Sequence, residues 1–451
     1  MPTRARSGAA GGAVCGDLVK ISVEVEGDRV SDAGFEAEGC GSAIAAASAA
    51  VELVRGATLL DAARVGSREI AEALGGLSTG KLHAADLASD ALHRALGAAA
   101  RADAETTAVA GRVLVAMSGG VDSAVAALLT QRAGHDAVAV TLELWADPDN
   151  DAERSCCSAS AVRGARAVAH GMGLPHFTLD LRAEFRAGVV DPWLSDHAAG
   201  LTPNPCVRCN GHVRLDAMLD FGKRLGAPVL ATGHYARVTN DGLLTAAADA
   251  AKDQSYMLAR LDPATVTRMR FPLGELTKPE VRRLAEDAGL PVAAKPDSQD
   301  LCFLAGTGRQ AFLAKHASLG DRPGDVVDRS GRAIGRHRGA HGYTVGQRRG
   351  LGIGGSPDPL YVLGTDIKSN TVTVGPLTAL ASTEVPVSEI VLHAPAERVT
   401  AARLRYRSKP VGARVDGNVL HLDEAFSGAA PGQLAVLLDG DVVVGYATIS
   451  K

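Results

Sequence analysis

The stretch VLVAMSGGVDSAVAALL, residues 113–129, decides the fold of the largest part of this 451-residue chain. Its opening residues are apolar and predict a buried strand, and the residues after 123 have the pattern of a helix. Between them lies SGGVDS, residues 118–123, whose glycines allow a tight turn and a close approach to a ligand. Its hydroxyls and the N–H groups of the helix start can cradle an anion. The segment therefore predicts a strand, an anion-binding turn and a helix in direct succession.

Further strand-like runs follow at 138–144, 176–181 and 228–231. Helical patterns such as 124–133 and 213–225 separate them. Strands that alternate with helices of this length predict a parallel sheet with helices on both faces.

The segments before this alternation predict a smaller domain. Residues 18–30, LVKISVEVEGDRV, alternate as a pair of strands would, and helical patterns cover 41–56 and 70–96. We expect a flexible leader at residues 1–13, and a linker at 98–110, where the composition is small and polar.

The C-terminal part has a different texture. From about Pro323 the chain shows short strands and Gly-rich turns. Near its end, turn signals at 416–417 and 439–440 separate strand-like runs such as 433–438 and 442–449. This part is predicted to be all-β.

Composition excludes a membrane protein and leaves nucleic acid open. No run approaches the roughly 18 uninterrupted apolar residues of a membrane span, so we expect a cytoplasmic protein without a membrane partner. The net charge of −4 requires any polyanion-binding surface to be local. One run between 329 and 350 is basic and holds no acidic residue, namely Arg329, Arg332, Arg336, Arg338, Arg348 and Arg349.

The cysteine count of seven is odd, which argues against a disulfide framework and favours metal binding or thiol chemistry. Cys206 and Cys209 form a C-x-x-C in TPNPCVRCN at a turn before a helical pattern, where the helix N-terminus would stabilise a thiolate. Cys302 lies in DSQDLCF.

SGGVDS in this setting resembles the PP-loop of ATP pyrophosphatases, which bind the β,γ-diphosphate of ATP and transfer AMP to a substrate. The longer series AMSGGVDS, NPCVRCN, ATGHYAR, KDQSYML, FPLGELTKPEVR, YTVGQRRGLGIGG and RYRSKP resembles the bacterial and mitochondrial tRNA-specific 2-thiouridylase family (MnmA/TRMU type). The resemblance covers residues 111–451. It implies a Rossmann-like PP-loop domain at 111–315, a central tRNA-contacting domain at 316–380 and a C-terminal β-barrel at 381–451.

The activity implied is a transferase reaction, the ATP-dependent 2-thiolation of the wobble uridine (U34) of tRNA with Mg²⁺. A cysteine desulfurase or another sulfur donor is the implied partner besides tRNA. Cys302 would carry a persulfide, and Cys209 would be nucleophile and resolving thiol. The residues implied to contact ATP are Ala116, Met117, Ser118, Gly119, Gly120, Val121, Asp122, Ser123, Leu142 and Gly233. Those implied to contact the target base or tRNA are Asn204, Pro205, Cys206, Lys252, Asp253, Gln254, Arg405 and Tyr406.

One position departs from part of the family, because some members have Asp where this chain has Cys206. Three thiolates, from Cys206, Cys209 and Cys302, could hold a [4Fe–4S] cluster with one open iron that binds the transferred sulfur. Cluster-dependent thiolation therefore competes with the persulfide route, and a zinc site would need a fourth ligand. Cys156 and Cys157 match a family position without a known role and are interpreted as structural.

Residues 14–96 resemble the iron–sulfur scaffold domains of the IscU/NifU/SufU type, through CGD at 15–17, GCGSAIAAAS around residue 40 and LGGLSTGKLHAADLASDAL around residue 83. The predicted domain spans 1–97, making the whole a multidomain α/β protein with an α+β IscU-like front domain. The implied ligands for iron–sulfur or zinc are Cys15, Asp17, Cys40 and His83. The family has a third cysteine after the histidine, where this chain has Ala84, so we expect a reduced role: holding or passing a cluster or sulfur, or docking a desulfurase.

Two other functions remain open from the sequence. The PP-loop also occurs in adenylating, amide-forming ligases, which need neither a cysteine pair nor a basic run. Alternatively, the chain is an iron–sulfur or sulfur carrier whose ATP site is vestigial, although the intact SGGVDS argues against that.

Overall fold

The computed structural model describes residues 4–11, 16–146, 158–297, 301–304, 306–353 and 358–451. The chain forms two compact units, each built from three separate segments. Unit 1 comprises residues 1–183, 215–235 and 268–303, and unit 2 comprises 184–214, 236–267 and 304–451. Within the described residues no helix has both the length and the apolar character that a membrane span requires.

The front domain of unit 1 is an antiparallel sheet covered by helices. Its strands follow the order β1 (Arg6–Gly11), β2 (Leu18–Glu26) and β3 (Arg29–Glu38). The predicted strand pair is present and turns at Gly27, where the φ of 63° favours glycine. The prediction of a flexible leader is wrong for residues 6–11, because β1 pairs with β2 along its whole length and buries Gly8 and Ala10.

Four helices complete the front domain: α1 (Gly41–Val54), α2 (Leu59–Ala62), α3 (Ser67–Ala73) and α4 (Leu82–Asp103). α4 buries Leu92 and Leu96 together with a stripe of alanines, since small side chains let a helix lie close to a sheet. The predicted linker begins inside α4, which continues to Asp103. After α4, the amide of Thr106 donates to the carbonyl of Arg224, so this stretch lies against the 215–235 segment of unit 1.

The rest of unit 1 contains the predicted parallel sheet, with strand order β10-β7-β4-β5-β6. β4 is the central strand and is fully apolar between 113 and 115, as expected where both faces are covered. The strands are β4 (Arg112–Ala116), β5 (Asp136–Glu143), β6 (His176–Asp180), β7 (Val229–Ala231) and β10 (Met269–Arg270). The helices are α5 (Val121–Arg132), α6 (Ala159–Gly171), α10 (Leu215–Arg224) and α13 (Lys278–Asp287), with α7 (Arg182–Phe185) after β6.

Unit 2 holds short helices and two sheets. Its helices are α8 (Asp191–Ala198), α9 (Pro205–Cys209), α11 (Ser255–Leu258), α12 (Pro263–Thr267) and α14 (Arg309–Ala317), with π-helical turns at Arg186–Val190 and Asn210–Arg214. A four-stranded sheet has the order β12-β11-β14-β13, formed by β11 (Gly324–Val327), β12 (Ala333–His337), β13 (Tyr361–Asp366) and β14 (Thr371–Gly375). Val326, Val362 and Val372 form the centre of its core.

The C-terminal region is a closed barrel, as predicted. Six strands run in the order β15-β18-β17-β16-β19-β20, and β15 closes the ring by pairing with β20. They are β15 (Ala381–Leu392), β16 (Ala401–Arg403), β17 (Val411–Asp416), β18 (Val419–Ser427), β19 (Leu434–Asp439) and β20 (Val442–Ile449), with the hairpin β8 (Arg237–Val238) and β9 (Leu244–Thr245) added to β20. β15 pairs with β18 through residues 381–386 and with β20 through residues 387–392, and the pairing with β20 shifts register near Glu389, whose φ is 50°.

Candidate active site and metal centre

The SGGVDS turn connects the carboxyl end of β4 to the start of α5. The hydroxyl of Ser123 closes the turn, accepting from the Ser118 amide at 3.1 Å and donating to the Gly120 carbonyl at 3.1 Å. Gly119 has a φ of 70°, which favours glycine, and Gly120 is the N-cap residue of α5. The turn thus presents backbone and hydroxyl groups at a helix N-terminus, an arrangement suited to phosphate.

Leu142 and Gly233 are the two residues implied to contact ATP that lie outside the segment 116–123. Both lie at the carboxyl ends of strands in the same sheet. Leu142 lies near the carboxyl end of β5, and Gly233 follows β7. A methyl group at Gly233 would lie 2.7 Å from the amide nitrogen of Ser123, so the glycine allows the β7 loop to pack on the start of α5. The structure therefore brings residues 116–123, 142 and 233 to one edge of the sheet, where parallel α/β sheets bind ligands.

Three residues beside the turn were not singled out from the sequence. The ammonium of Lys278 lies 2.7 and 2.8 Å from the two carboxylate oxygens of Asp122 and 2.8 Å from Oδ1 of Asp297. Tyr235 donates its hydroxyl to Asp122 at 2.9 Å, and Lys295 donates to the carbonyl of Gly119 at 2.8 Å. Lys278 is only 8% exposed, so a buried cation is held at the anion-binding turn. Tyr235 and Lys278 lie in ATGHYAR and FPLGELTKPEVR, two of the segments that resemble the thiouridylase family, and no other sequence feature marks them.

The C-x-x-C segment forms α9 in unit 2. Asn204 is its N-cap and accepts from the amide of Cys206 at 3.1 Å, and Pro205 occupies the first turn. Cys206 is half-buried, whereas Cys209 is buried at the last position of α9, immediately before a π-helical turn. Such turns are frequent at functional sites. Cys302 belongs to unit 1, is half-buried and precedes Phe303, whose ring packs edge-on against Trp145.

The residues implied to contact tRNA lie in two loops of unit 2. Asp253 is buried, and its carboxylate accepts from Arg403 at 2.8 Å and from the amides of Ala247 and Ser255. It therefore holds the loop that contains Lys252 and Gln254. Tyr406 stacks near Tyr256 with ring centroids 5.8 Å apart, and its own burial raises the pKa of its hydroxyl.

Arg405 lies beside Tyr406, at the loop between β16 and β17. It donates to the carbonyl of Gly428 at 3.0 Å and lies over the ring of Phe426. Part of the positive charge of the basic run is neutralised by acidic residues that precede the run in the sequence. Arg332, Arg336 and Arg338 form ion pairs with Asp328, Asp325 and Asp321, respectively. Arg348 and Arg349 are exposed.

A separate cluster in the front domain combines oxygen, sulfur and nitrogen donors. Oδ2 of Asp17 lies 3.4 Å from Sγ of Cys40 and 3.4 Å from Nε2 of His83, and the three donor atoms all lie within 4.8 Å of one another. The amide of Cys40 also donates to Asp17 at 2.8 Å. Gly39 has a φ of 137°, and a methyl group there would overlap the Asp17 carboxylate. The backbone is therefore shaped around this carboxylate.

The donor set fits a metal ion. Ligands about 2.0–2.3 Å from a tetrahedral zinc lie roughly 3.3–3.8 Å apart, which the two 3.4 Å separations match. Cys40 caps α1, and His83 lies in the first turn of α4, so two helix starts and one loop converge. Cys15, the fourth implied ligand, lies outside the described residues, as do Cys156 and Cys157. Ala84 is fully buried, at the position where the scaffold family has a cysteine.

Comparison with known proteins agrees with this architecture. Family models match four successive regions: a NifU-like N terminal domain at 2–105, a tRNA methyl transferase HUP domain at 111–306, a tRNA methyl transferase PRC-barrel domain at 310–376 and an aminomethyltransferase beta-barrel domain at 382–449. The bifunctional protein NifU/MnmA of Rubrobacter xylanophilus is 42% identical, over 98% of this chain and 94% of its own length. The tRNA-specific 2-thiouridylase MnmA of Salinispora arenicola is 46% identical, over 76% of this chain and 99% of its own.

The fold and its anion-binding turn thus define a HUP-domain protein that carries a NifU-like domain at its front. The chain belongs to the tRNA-specific 2-thiouridylase family, in its bifunctional NifU/MnmA form. The predicted fold class and family are both confirmed.

Proposed function

We propose that this protein is an ATP-dependent tRNA-uridine 2-sulfurtransferase that acts on the wobble uridine. The observation that carries the proposal is the SGGVDS turn at the start of α5, with the buried Lys278 bound to Asp122 beside it. A helix N-terminus and a desolvated cation are suited to the phosphates of MgATP and to the charge that develops on the leaving pyrophosphate.

The first step activates a poor electrophile. The O2 atom of the uridine attacks the α-phosphorus of ATP, and the N3 proton is released. A bond forms between O2 and phosphorus while the bond to the β-phosphate oxygen breaks, so pyrophosphate leaves. The adenylated oxygen is then a good leaving group at C2.

The second step supplies sulfur from a persulfide on Cys302, which a cysteine desulfurase loads by transferring its own sulfane sulfur. The terminal sulfur attacks C2, a C–S bond forms, the C2–O bond breaks and AMP leaves. The Cys209 thiolate then attacks Sγ of Cys302, which releases 2-thiouridine with a proton regained at N3 and leaves a Cys209–Cys302 disulfide. A dithiol reductant restores both thiols.

The competing route uses Cys206, Cys209 and Cys302 as ligands of a [4Fe–4S] cluster, whose open iron would supply a bound sulfide as nucleophile. Cys206 supports this alternative, since the persulfide route needs no thiol at that position. Replacing Cys206 by aspartate separates the two routes: retained cluster-free thiolation supports the persulfide, and loss of both cluster and activity supports the cluster.

The test is thiolation of an unmodified tRNA transcript by anaerobically purified protein, with iron, sulfide and zinc analysis. Cys209→Ser and Cys302→Ser are expected to abolish release of 2-thiouridine, while the first step still forms adenylated tRNA and pyrophosphate. A Cys302→Ser protein that still thiolates would remove its sulfur-carrying role. The metal held by the front domain is measured separately with a full-length Cys40→Ser variant, which removes one ligand of that domain and keeps Cys206, Cys209 and Cys302.

For the front domain we propose that Asp17, Cys40 and His83 hold a metal or cluster, with Cys15 as a further ligand. The close packing of three donors of different types supports this role. A bound iron–sulfur cluster would supply iron or sulfide to the enzyme, and a bound zinc would stabilise the domain.

A further inference from the structure

β6 is an edge strand of the parallel sheet, and the front domain covers its open side. An uncovered edge presents unpaired N–H and C=O groups. Here the amide of His176 donates to the carbonyl of Ala63 at 2.9 Å. Nδ1 of His93 lies 2.8 Å from the carbonyl oxygen of His176. The front domain thus satisfies the backbone of a strand that belongs to another domain.

One face of α4 runs along this strand and contacts it at regular intervals. His93, Gly97 and Arg101 are spaced by four in α4, and they meet the carbonyl oxygens of residues 176, 178 and 180, which are spaced by two in β6. Arg101 donates to the last of these at 3.4 Å. Four helical residues rise about 6.0 Å and two strand residues about 6.6 Å, so the two repeats stay in step over this length.

Gly97 is the point of closest approach. A methyl group at this position would overlap the carbonyl oxygen of Thr178. Glycine is an unfavourable residue in the middle of a 22-residue helix, where alanine is preferred by about 1 kcal/mol. Close packing on the strand explains its presence.

Buried ion pairs also connect α4 of the front domain to the nucleotide-binding domain. Asp90 of α4 binds both Arg166 and Arg163 of α6, and Arg94 of α4 binds Glu143 of β5 at 2.6 Å. Asp90 and Glu143 are 7% and 5% exposed. These charge-assisted hydrogen bonds fix the orientation of α4 against α6 and β5.

We propose that the front domain permanently covers β6, the edge strand of the nucleotide-binding sheet. The partner that this surface of the front domain fits is therefore the rest of its own chain. The site formed by Asp17, Cys40 and His83 therefore keeps a fixed position relative to the SGGVDS turn, and the domain is not a carrier that swings on a linker. The residues after α4 agree with this, because the amide of Val109 donates to the carbonyl of Gly226 at 2.9 Å. The inference concerns docking and does not depend on the proposed thiolation.

A pair of glycine substitutions in the full-length protein tests the inference. Gly164 lies in α6 with nothing within 4 Å of an added methyl group, so Gly164→Ala is expected to raise the thermal midpoint. Gly97→Ala gains the same helix propensity but is expected to lower the midpoint and to speed hydrogen exchange at residues 176–180. If Gly97→Ala raises the midpoint as Gly164→Ala does, the close docking is overturned.

A cleavage experiment tests permanence directly. A site for a specific protease is inserted between Thr107 and Ala108, which are exposed, and the full-length protein is cut there. The front fragment is expected to stay with the remainder in gel filtration at micromolar concentration. Separation of intact, folded fragments would show a tethered module and would overturn the proposal, whatever the protein's thiolation activity.

Discussion

Lys278 of α13 binds both carboxylate oxygens of Asp122, the fifth residue of the SGGVDS turn, at 2.7 and 2.8 Å. The same ammonium contacts Asp297 at 2.8 Å, so it is shared between two carboxylates. The Lys278 side chain is only 8% exposed, and burial of a charged group is costly unless the group is paired. The turn is therefore built together with a cation from more than 150 residues further along the chain.

Lys278→Met is expected to lower AMP formation on tRNA by about 100-fold, because the turn loses the cation that offsets phosphate charge. Arg283→Met is the matched control, since it removes an exposed cation from the same helix. AMP release is measured at saturating ATP. Equal rates for Lys278→Met and Arg283→Met would contradict a role for Lys278 at the nucleotide.

Asn204→Ala is expected to destabilise α9 by about 1 kcal/mol, because the helix loses its N-cap acceptor for the Cys206 amide. Asn204→Asp keeps an acceptor oxygen and is expected to retain the stability. Urea unfolding gives the free energies, and thiolation of the transcript gives the activity. If both variants have the same free energy of unfolding as the parent protein, the Asn204 cap does not contribute to stability.

Gly39→Ala is expected to displace the Asp17 carboxylate and to lower the metal content of the front domain, while AMP formation is unchanged. Gly41→Ala is the control on the other side of Cys40, because an added methyl group there meets nothing within 4 Å. Both are compared by metal analysis of the full-length protein. Equal metal content in the two variants would separate Asp17 from the metal site.

The buried His197 is expected to make the stability of unit 2 sensitive to acid. Burial lowers its pKa from 6.5 to about 4, and Arg309 contributes in the same direction. Because the folded-state pKa is depressed, its contribution to stability is complete above pH 6.5 and is lost as the pH falls towards 4. The loss amounts to about 3 kcal/mol.

His197→Gln should remove this part of the pH dependence. Unfolding followed by tryptophan fluorescence is suitable, since the Trp193 ring lies 4.4 Å from His197. The comparison is the difference in unfolding free energy between pH 7 and pH 4 for the two proteins. An unchanged difference in the variant would exclude His197 as the titrating group.

Local pattern predicts four of the five strands of the parallel sheet and misses the fifth. β6 is predicted at 176–181 and spans His176–Asp180, where the first four residues are buried although His176 and Thr178 are polar. β10 has two residues, too few to show any periodicity, and was missed. α4 extends past the predicted helix because its last residues, small and polar, resemble a linker until they contact β6 and the end of α10.

The candidate ATP site likewise contains residues that the sequence predicts and residues that it does not. The SGGVDS turn could be predicted because every atom of its cradle comes from six consecutive residues. Lys278 and Lys295 could not be, since each reaches the turn from a segment that is distant in sequence and carries no local signal of that contact. The pairing of α4 with the backbone of β6 involves carbonyl groups that every residue has, so no sequence pattern marks it.

Each unit is built from three separate segments of the chain, so unit 1 cannot finish folding until its last segment has been synthesised. The front domain and the strands β4, β5 and β6 are contiguous in the chain, so they can assemble while translation proceeds. β7, β10 and α13 complete the sheet only after residue 287 has left the ribosome, with segments of unit 2 already synthesised between them. Long-range closure of this kind slows folding and prolongs the exposure of unpaired strands to aggregation. The nascent sheet, capped early on the β6 side by the front domain, then has only its β4 side open while it waits for those last strands.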